Sequence, residues 1–239
     1  MSADARSELA PSGRLRAGIN HGNFLLVAKD SPLGQPRGIA PDLALELGRR
    51  LGVPVEFVSY DAAGKTADGA RAGEWDVTFL GAEAERANDI SFTAAYLEIP
   101  VTFLVPAGSP IRAIAEVDRE GVSIAVAARS AYDLYLSRNF KRATLVRAEG
   151  IDGSFKLFVE RKLDALAGLK PRLMQDMQKL PGSRMLDGQV TAVQQAIGTP
   201  KGREAGAKYL REFAEDIKAS GLVARLIEKH GVRGVSVAP

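Results

Sequence analysis

The chain has 239 residues, of which 46% are apolar and 26% charged, with a formal net charge of +3 at pH 7. This composition is ordinary for a globular protein of one large domain or two of usual size. The basic residues are scattered and aromatic residues make up only 6%, which argues against a nucleic-acid-binding surface. With no cysteine and only two histidines, thiolate catalysis, a histidine-bound metal and a Ser-His-Asp triad are not expected, and we predict no cofactor.

Strand and helix patterns alternate from residue 15 onward. The helix that opens at Pro41 repeats leucine every four residues, which is typical of an amphipathic helix packed on a sheet. The first half of the chain predicts strands at 15–19, 53–58 and 75–80 and helices at 41–51 and 66–72. This βαβαβ order favours a mostly parallel sheet covered by helices on both faces.

A second α/β series follows, and the chain ends in two amphipathic helices separated at residues 220–221. The second half predicts strands at 101–105, 122–126, 144–146 and 163–168 and helices at 132–138 and 154–161. Two similar series indicate two lobes with a ligand cleft between them. We place lobe 1 at 14–101 plus 194–239 and lobe 2 at 104–190, with a hinge near 101–103 and 193–196.

One segment points to a binding site. The sequence Gly-Glu-Trp-Asp-Val-Thr-Phe-Leu-Gly at 73–81 reads as a buried strand that ends at Gly81, and Arg86 follows in a short loop. Ligands of open α/β sheets bind at the carboxyl ends of parallel strands, and a guanidinium fits a carboxylate with two hydrogen bonds. The segment therefore predicts recognition of a small acid. The alternative is a surface arginine paired with Glu83, Glu85 or Asp89.

Other polar or aromatic residues lie near predicted strand ends, and each has a structural alternative. Asn20 contacts ligand or stabilises a turn, and Phe24 covers ligand or belongs to the core. Tyr60 and Lys65 contact ligand or form a solvated turn with Asp61.

Two further residues have the same ambiguity. Glu83 is either a ligand contact or only the local partner of Arg86. Ser130 precedes a predicted helix, so it is expected to cap that helix or to contact ligand. The two roles are compatible, because exposed N–H groups at a helix start also attract anions.

Between residues 15 and 231 the chain resembles the extracellular solute-binding proteins of family 3, the amino-acid ABC-transporter type. The order and spacing of several short motifs carry the resemblance. They are Leu-Arg-Ala-Gly-Ile-Asn at 15–20, Gly-Ile-Ala-Pro-Asp-Leu-Ala at 38–44, Leu-Gly-Val at 51–53, Gly-Glu-Trp-Asp-Val at 73–77, Glu85-Arg86 with Phe92, Leu-Val at 104–105 with Ser-Pro at 109–110, Leu-Asp-Ala at 163–165 and Ala-Ser-Gly-Leu at 219–222. The resemblance implies a two-lobed type II periplasmic-binding-protein fold.

The resemblance also implies residue roles. In this family the arginine that matches Arg86 binds the ligand α-carboxylate, an aromatic residue near Phe24 covers the ligand side chain, and a hydroxyl residue near Ser130 adds hydrogen bonds from the second lobe. An acidic residue commonly pairs with the α-ammonium, but the matching position is Leu169, followed by Lys170. The loop from Asp76 to Arg86 is also about two residues shorter than usual. A leucine cannot neutralise an ammonium, so a carboxylate without an amino group, or one whose amine contacts Glu83, becomes more plausible.

The implied biology is transport. A binding protein of this family delivers its ligand to an ABC permease in the membrane, and we expect a periplasmic monomer that binds rather than reacts. The N-terminus lacks the apolar stretch of a signal peptide, so either a leader has been removed or the protein stays in the cytoplasm. The rival is an enzyme that resembles these proteins, a cyclohexadienyl (prephenate/arogenate) dehydratase, for which Glu83 or a carboxylate of lobe 2 supplies the acid.

Overall fold

A computed structural model describes residues 3–28, 30 and 35–239 of the chain. Within these residues, helices and strands alternate through most of the sequence. In chain order the elements are α1 Ala3–Leu9, β1 Leu15–Asn20, α2 Ile39–Leu51, β2 Val55–Tyr60, α3 Ala63–Asp68, β3 Val77–Gly81, β4 Ile90–Val105, β5 Ser123–Ala127, α4 Ala131–Asn139, β6 Thr144–Ala148, α5 Gly150–Glu160, β7 Ala165–Leu169, α6 Lys170–Gln178, β8 Arg184–Met185, β9 Thr191–Pro200, α7 Glu204–Ala219, α8 Leu222–Lys229 and β10 Ser236–Val237.

The chain divides into two compact units. Unit 1 contains the residues up to Glu98 together with Gln194–Pro239, and unit 2 contains Ile99–Val193. The two boundaries fall inside β4 and β9, so two strands carry the chain from one unit to the other. The mixed α/β architecture, with sheets flanked by helices, confirms the predicted fold class.

The sheet of unit 1 is built around β1. Strands β2 and β3 lie on either side of β1 and run parallel to it, and Asn20 stands opposite Tyr60 in the register. On its other side β3 pairs with β9 in the antiparallel direction, with Gly81 opposite Gln195. The carboxyl ends of β1, β2 and β3 therefore meet at one edge of this sheet.

Helix α2 shows why the leucine spacing predicts a packed helix. Leu43, Leu47 and Leu51 recur on one face, and all three are fully buried. Gly52 then takes the left-handed conformation, with φ of 66°, and its N–H bonds the last carbonyls of the helix. Glycine adopts this conformation without the strain of a Cβ atom, so the helix ends where the sequence predicts.

The sheet of unit 2 is built around β5. Strands β6 and β7 run parallel to β5 on either side, and β4 pairs with β7 in the antiparallel direction, with Val101 opposite Leu169. Helices α4 and α6 follow β5 and β7 directly, so their N-termini lie at the same edge of the sheet.

The Trp-Asp pair at 75–76 has a structural role in unit 1. Trp75 is fully buried just before β3, and its Nε1–H donates to the carbonyl of Thr66 at 2.8 Å. The carboxylate of Asp76 is also fully buried, and it accepts hydrogen bonds from the guanidinium groups of Arg16 and Arg203. A buried charge is stable when it is paired and hydrogen-bonded in this way.

Several elements differ from the prediction. β4 begins at Ile90 rather than at residue 101, and α3 spans Ala63–Asp68 rather than 66–72. Helices α1 and α6 and strand β9 were not predicted. Pro171 stands in the first turn of α6, where proline is well tolerated, and this signal for a helix start was missed. No helix in the described part of the chain is long and apolar enough to cross a membrane.

Candidate functional site

The strand ends of unit 1 place one arginine in a fixed position. Arg86 begins a short 3-10 helix at Arg86–Asn88, five residues after the end of β3. Its side chain is buried, with only 6% of the residue exposed, and its Nη1 donates to the carbonyl of Gly81 at 2.7 Å. This bond ties the guanidinium to the end of β3. Since a guanidinium has five N–H donors in a planar fork, it can hold an anion while it keeps such a bond.

The loop between Gly81 and Arg86 is short and held at both ends. The N–H of Ala82 donates to the carbonyl of Gln194 at 2.8 Å, and the N–H of Ala87 donates to the carbonyl of Glu83 at 3.0 Å. The side chain of Glu83 is half-buried in this loop. The backbone bonds therefore fix the position from which Arg86 and Glu83 extend.

The first strand end forms an ordered turn. The side-chain oxygen of Asn20 accepts from the N–H of Gly22 at 3.0 Å, which is the turn-stabilising geometry. His21 lies beside Ser59, with Nε2 and the hydroxyl 3.1 Å apart, and burial lowers the pKa of this histidine. Phe24 follows in the same turn and is half-buried. The turn thus holds Phe24 close to the carboxyl end of β1.

Tyr60 and Lys65 have partners within unit 1. The hydroxyl of Tyr60 donates to the carboxylate of Glu74, and its ring packs against the core cluster that contains Trp75. Lys65 forms an exposed ion pair with Asp61, with 2.9 Å between Nζ and Oδ2. A ligand contact by either residue stays a prediction.

Unit 2 places Ser130 and Leu169 at one edge of its sheet. Ser130 caps α4, since its hydroxyl oxygen accepts from the N–H of Asp133 at 3.1 Å. Leu169 is the last residue of β7 and is buried, with 4% exposed. Because β5 and β7 are parallel, both residues lie where ligands of α/β sheets usually bind.

Two buried residues near these positions were missed at the sequence level. Gln195 stands opposite Gly81 and is 4% exposed, but it could not be placed because β9 was not recognised as a strand. Tyr132 lies in the first turn of α4, and its buried hydroxyl has no hydrogen-bond partner among the described residues. An aromatic residue two positions after a helix cap was the only available signal for Tyr132.

The arrangement provides donors and a cation but no metal cluster. In residues 3–28, 30 and 35–239, no group of three or more His, Asp or Glu side chains could hold a metal ion. The guanidinium of Arg86 is a group that can bind an anion by hydrogen bonding and charge pairing.

Solved structures share the fold at low sequence identity. A mutant of ArgBP from T. maritima superposes with a TM-score of 0.76 at 22% identity, over 95% of this chain and 99% of that chain. The cysteine-binding protein from Campylobacter jejuni gives 0.77 at 16% identity, over 95% and 92%. The ancestral amino acid-binding protein AncCDT-1, a precursor of cyclohexadienyl dehydratase, gives 0.75 at 22% identity, over 94% and 98%.

The sequence comparisons identify the family. A comparison with curated proteins gives no match. The sequence profile of the bacterial extracellular solute-binding proteins, family 3, matches residues 15–233, which is most of the chain. The match confirms the resemblance carried by the motifs, and the chain therefore belongs to the bacterial extracellular solute-binding proteins of family 3.

Proposed function

We propose that this protein is the substrate-binding component of an ABC transporter and that it binds a small carboxylate without altering it. The buried guanidinium of Arg86 carries the proposal. It lies at the carboxyl end of β3 and is tied to Gly81, so the guanidinium is held in position before the ligand arrives. A fixed arginine fork of this kind suits a bidentate carboxylate.

The acidic groups of unit 2 bear on whether the ligand carries an amine. Asp133, in the first turn of α4, accepts from the N–H of Arg129 at 2.8 Å and from Nε of Arg147 at 3.0 Å. Asp176, in α6, accepts from Nε of Arg172 at 2.8 Å. Both carboxylates are therefore already used within their own unit.

The residues at the end of β7, by contrast, carry no negative charge. Leu169 is apolar, and the side-chain ammonium of Lys170, the next residue, forms no ion pair or hydrogen bond with the described part of the chain. An ammonium brought to the end of β7 would meet a cation and an alkyl side chain, and leaving it unpaired away from water would be costly. We infer that the preferred ligand is a carboxylate without an α-ammonium.

Leu169→Asp tests the ligand class. The matched measurement is calorimetric titration with two compounds that share a carbon skeleton and differ only in an α-amino group, such as propionate and alanine. The parent should favour the compound without the amine. Leu169→Asp should shift this preference by at least about tenfold toward the amino acid, because a new carboxylate can pair with the ammonium.

Leu169→Asn is the control, since it has the shape of aspartate without the charge. A shift produced equally by both variants would mean that polarity alone sets the preference. If Leu169→Asp leaves the order of ligand affinities unchanged, residue 169 does not belong to the binding site. The role of Arg86 is tested separately by its own variants.

A further inference from the structure

We propose that unit 2 carries a second binding site, which takes an aliphatic chain with an anionic head group. The site is a groove made of two adjoining cavities of about 350 Å³ and about 520 Å³, which share Pro106 and Ser183 in their walls. Both cavities are mainly apolar, and Arg112 and Arg184 bring positive charge to the larger one. We call the whole feature the rear groove.

The rear groove lies far along the sheet from Ser130 and Leu169. Its walls come from the segment after β4, the end of α5 and the segment after α6. Leu163 lines the smaller cavity and precedes β7, whereas Leu169 ends that strand. The groove is therefore at the amino-terminal edge of β7, and the proposed carboxylate site uses the other edge.

The smaller cavity is suited to an alkyl chain. Phe158 and Leu163 form part of the buried core of unit 2, and Leu180 packs against the same core. Val159 lies at the wall with 41% of its surface exposed, which is unusual for a large apolar residue in this chain. Covering this surface with an alkyl chain would remove apolar area from water.

The larger cavity supplies positive charge. Arg184 is half-buried there, and its Nη2 donates to the carbonyl of Ile111 at 2.8 Å and more weakly to that of Ser109 at 3.4 Å. No carboxylate pairs with Arg184 among the described residues. A half-buried guanidinium held by neutral carbonyls alone keeps donors and a net charge available for an anion.

The charged side chains that line the groove are all basic, although the carboxylate of Glu116 lies beside it and accepts from the backbone N–H of Arg112 at 2.6 Å. Arg112 lines the larger cavity and Lys162 the smaller one, and the lining of the two cavities includes no aspartate or glutamate. Two adjoining, mainly apolar cavities whose charged lining residues are all basic match a molecule with an alkyl chain and a single anionic end. We therefore commit to a free medium-chain carboxylate as the occupant.

The test is calorimetric titration of the full chain with decanoate below its micellar concentration. Decanol, which lacks the charge, and acetate, which lacks the chain, should each bind at least about tenfold more weakly. If decanol binds as tightly as decanoate, the anionic group does not contribute to binding and the proposed head-group site is wrong. If decanoate does not bind, the whole proposal is overturned. Binding only to anionic phospholipid vesicles, without decanoate binding, would also overturn it in favour of a membrane surface.

Variants locate the site. Val159→Glu and Arg112→Glu change exposed residues of the groove, and each should weaken decanoate binding by about tenfold through charge repulsion. Arg142→Glu, an exposed residue of unit 2 that lines neither cavity, is the matched control and should leave affinity within about twofold. Equal affinities in Arg112→Glu, Val159→Glu and the control would contradict the assignment. Because decanoate is itself a carboxylate, the titrations are repeated with Arg86→Ala, in which the proposed carboxylate site is disabled. Decanoate binding that disappears in this variant would assign the binding to Arg86 and contradict the rear groove.

Discussion

At the scale of single residues, one charged residue lies on each side of strand β3 in the sequence, and the two have different roles. Asp76 precedes β3 and is fully buried between Arg16 and Arg203, whereas Arg86 follows the strand and is tied to the carbonyl of Gly81. The first arrangement closes a charge network inside unit 1. The second holds a guanidinium in a fixed position at the carboxyl end of β3, where we propose that it binds an anion.

The network around Asp76 predicts a large loss of stability on substitution. Asp76→Asn should lower the free energy of unfolding by about 3–5 kcal/mol, because two guanidinium groups lose their buried counter-charge. Urea denaturation measures this change. Asp61→Asn removes an exposed pair with Lys65 and should cost no more than about 1 kcal/mol. Similar losses in the two variants would show that the Asp76 network contributes little.

At the scale of elements, the helices are fixed to the sheets by buried leucines and by charge pairs on their surfaces. In α2, Glu46 bonds Arg49 and Arg50, with N–O distances of 2.8 and 2.7 Å. Arg50 also pairs with Asp216 of α7, which links two helices of unit 1. The hydrogen bond from Arg49 is the main cause that lowers the pKa of Glu46 to about 2, and Arg50 lowers it further.

The ion pairs of Glu46 with Arg49 and Arg50 predict a contribution to stability that depends on pH. The folded-state pKa of Glu46 lies below its ordinary value of 4.5, so its stabilising effect is present above about pH 4.5 and is lost as the pH falls toward about 2. Glu46→Gln should be less stable than the parent at pH 7, and the difference should shrink across that window.

Thermal unfolding followed by circular dichroism between pH 7 and pH 2 checks the prediction. Glu120→Gln removes an exposed carboxylate of unit 2 and serves as the control, which should follow the parent curve. A difference between Glu46→Gln and the parent that stays constant over the whole range would contradict the role of Glu46 ionisation.

At the scale of the whole molecule, the repeated α/β pattern and the order of the motifs were enough to predict the fold class and the family. Regular spacing in α2 and the glycine after it mark that helix clearly. β9 was not recognised from its own residue pattern, because a strand is also defined by the strand it pairs with, which here is β3. For the same reason Gln195 could not be placed beside Gly81.

The candidate site was predicted less completely than the fold. Sequence order could place Arg86 after a buried strand, and Ser130 before a helix, where it is indeed the cap. It could not show that Asn20 accepts from Gly22 or that Tyr60 donates to Glu74, since those bonds depend on neighbouring loops. The expected cleft, the hinge near 101–103 and 193–196, the monomeric state and the permease partner stay predictions.

The most direct test of the central claim is calorimetric titration of ligand-stripped protein with amino acids, aliphatic and aromatic carboxylates, and prephenate, repeated with Arg86→Ala and Arg86→Lys. We predict that a carboxylate binds the parent and is recovered unchanged. Arg86→Ala should weaken it by at least about thirtyfold, because a buried charge pair is lost, and Arg86→Lys should restore only part of the affinity. If a folded Arg86→Ala protein keeps its affinity for the carboxylate, the proposed carboxylate site is contradicted. If prephenate is consumed, the protein is an enzyme and the proposal of binding without reaction is wrong.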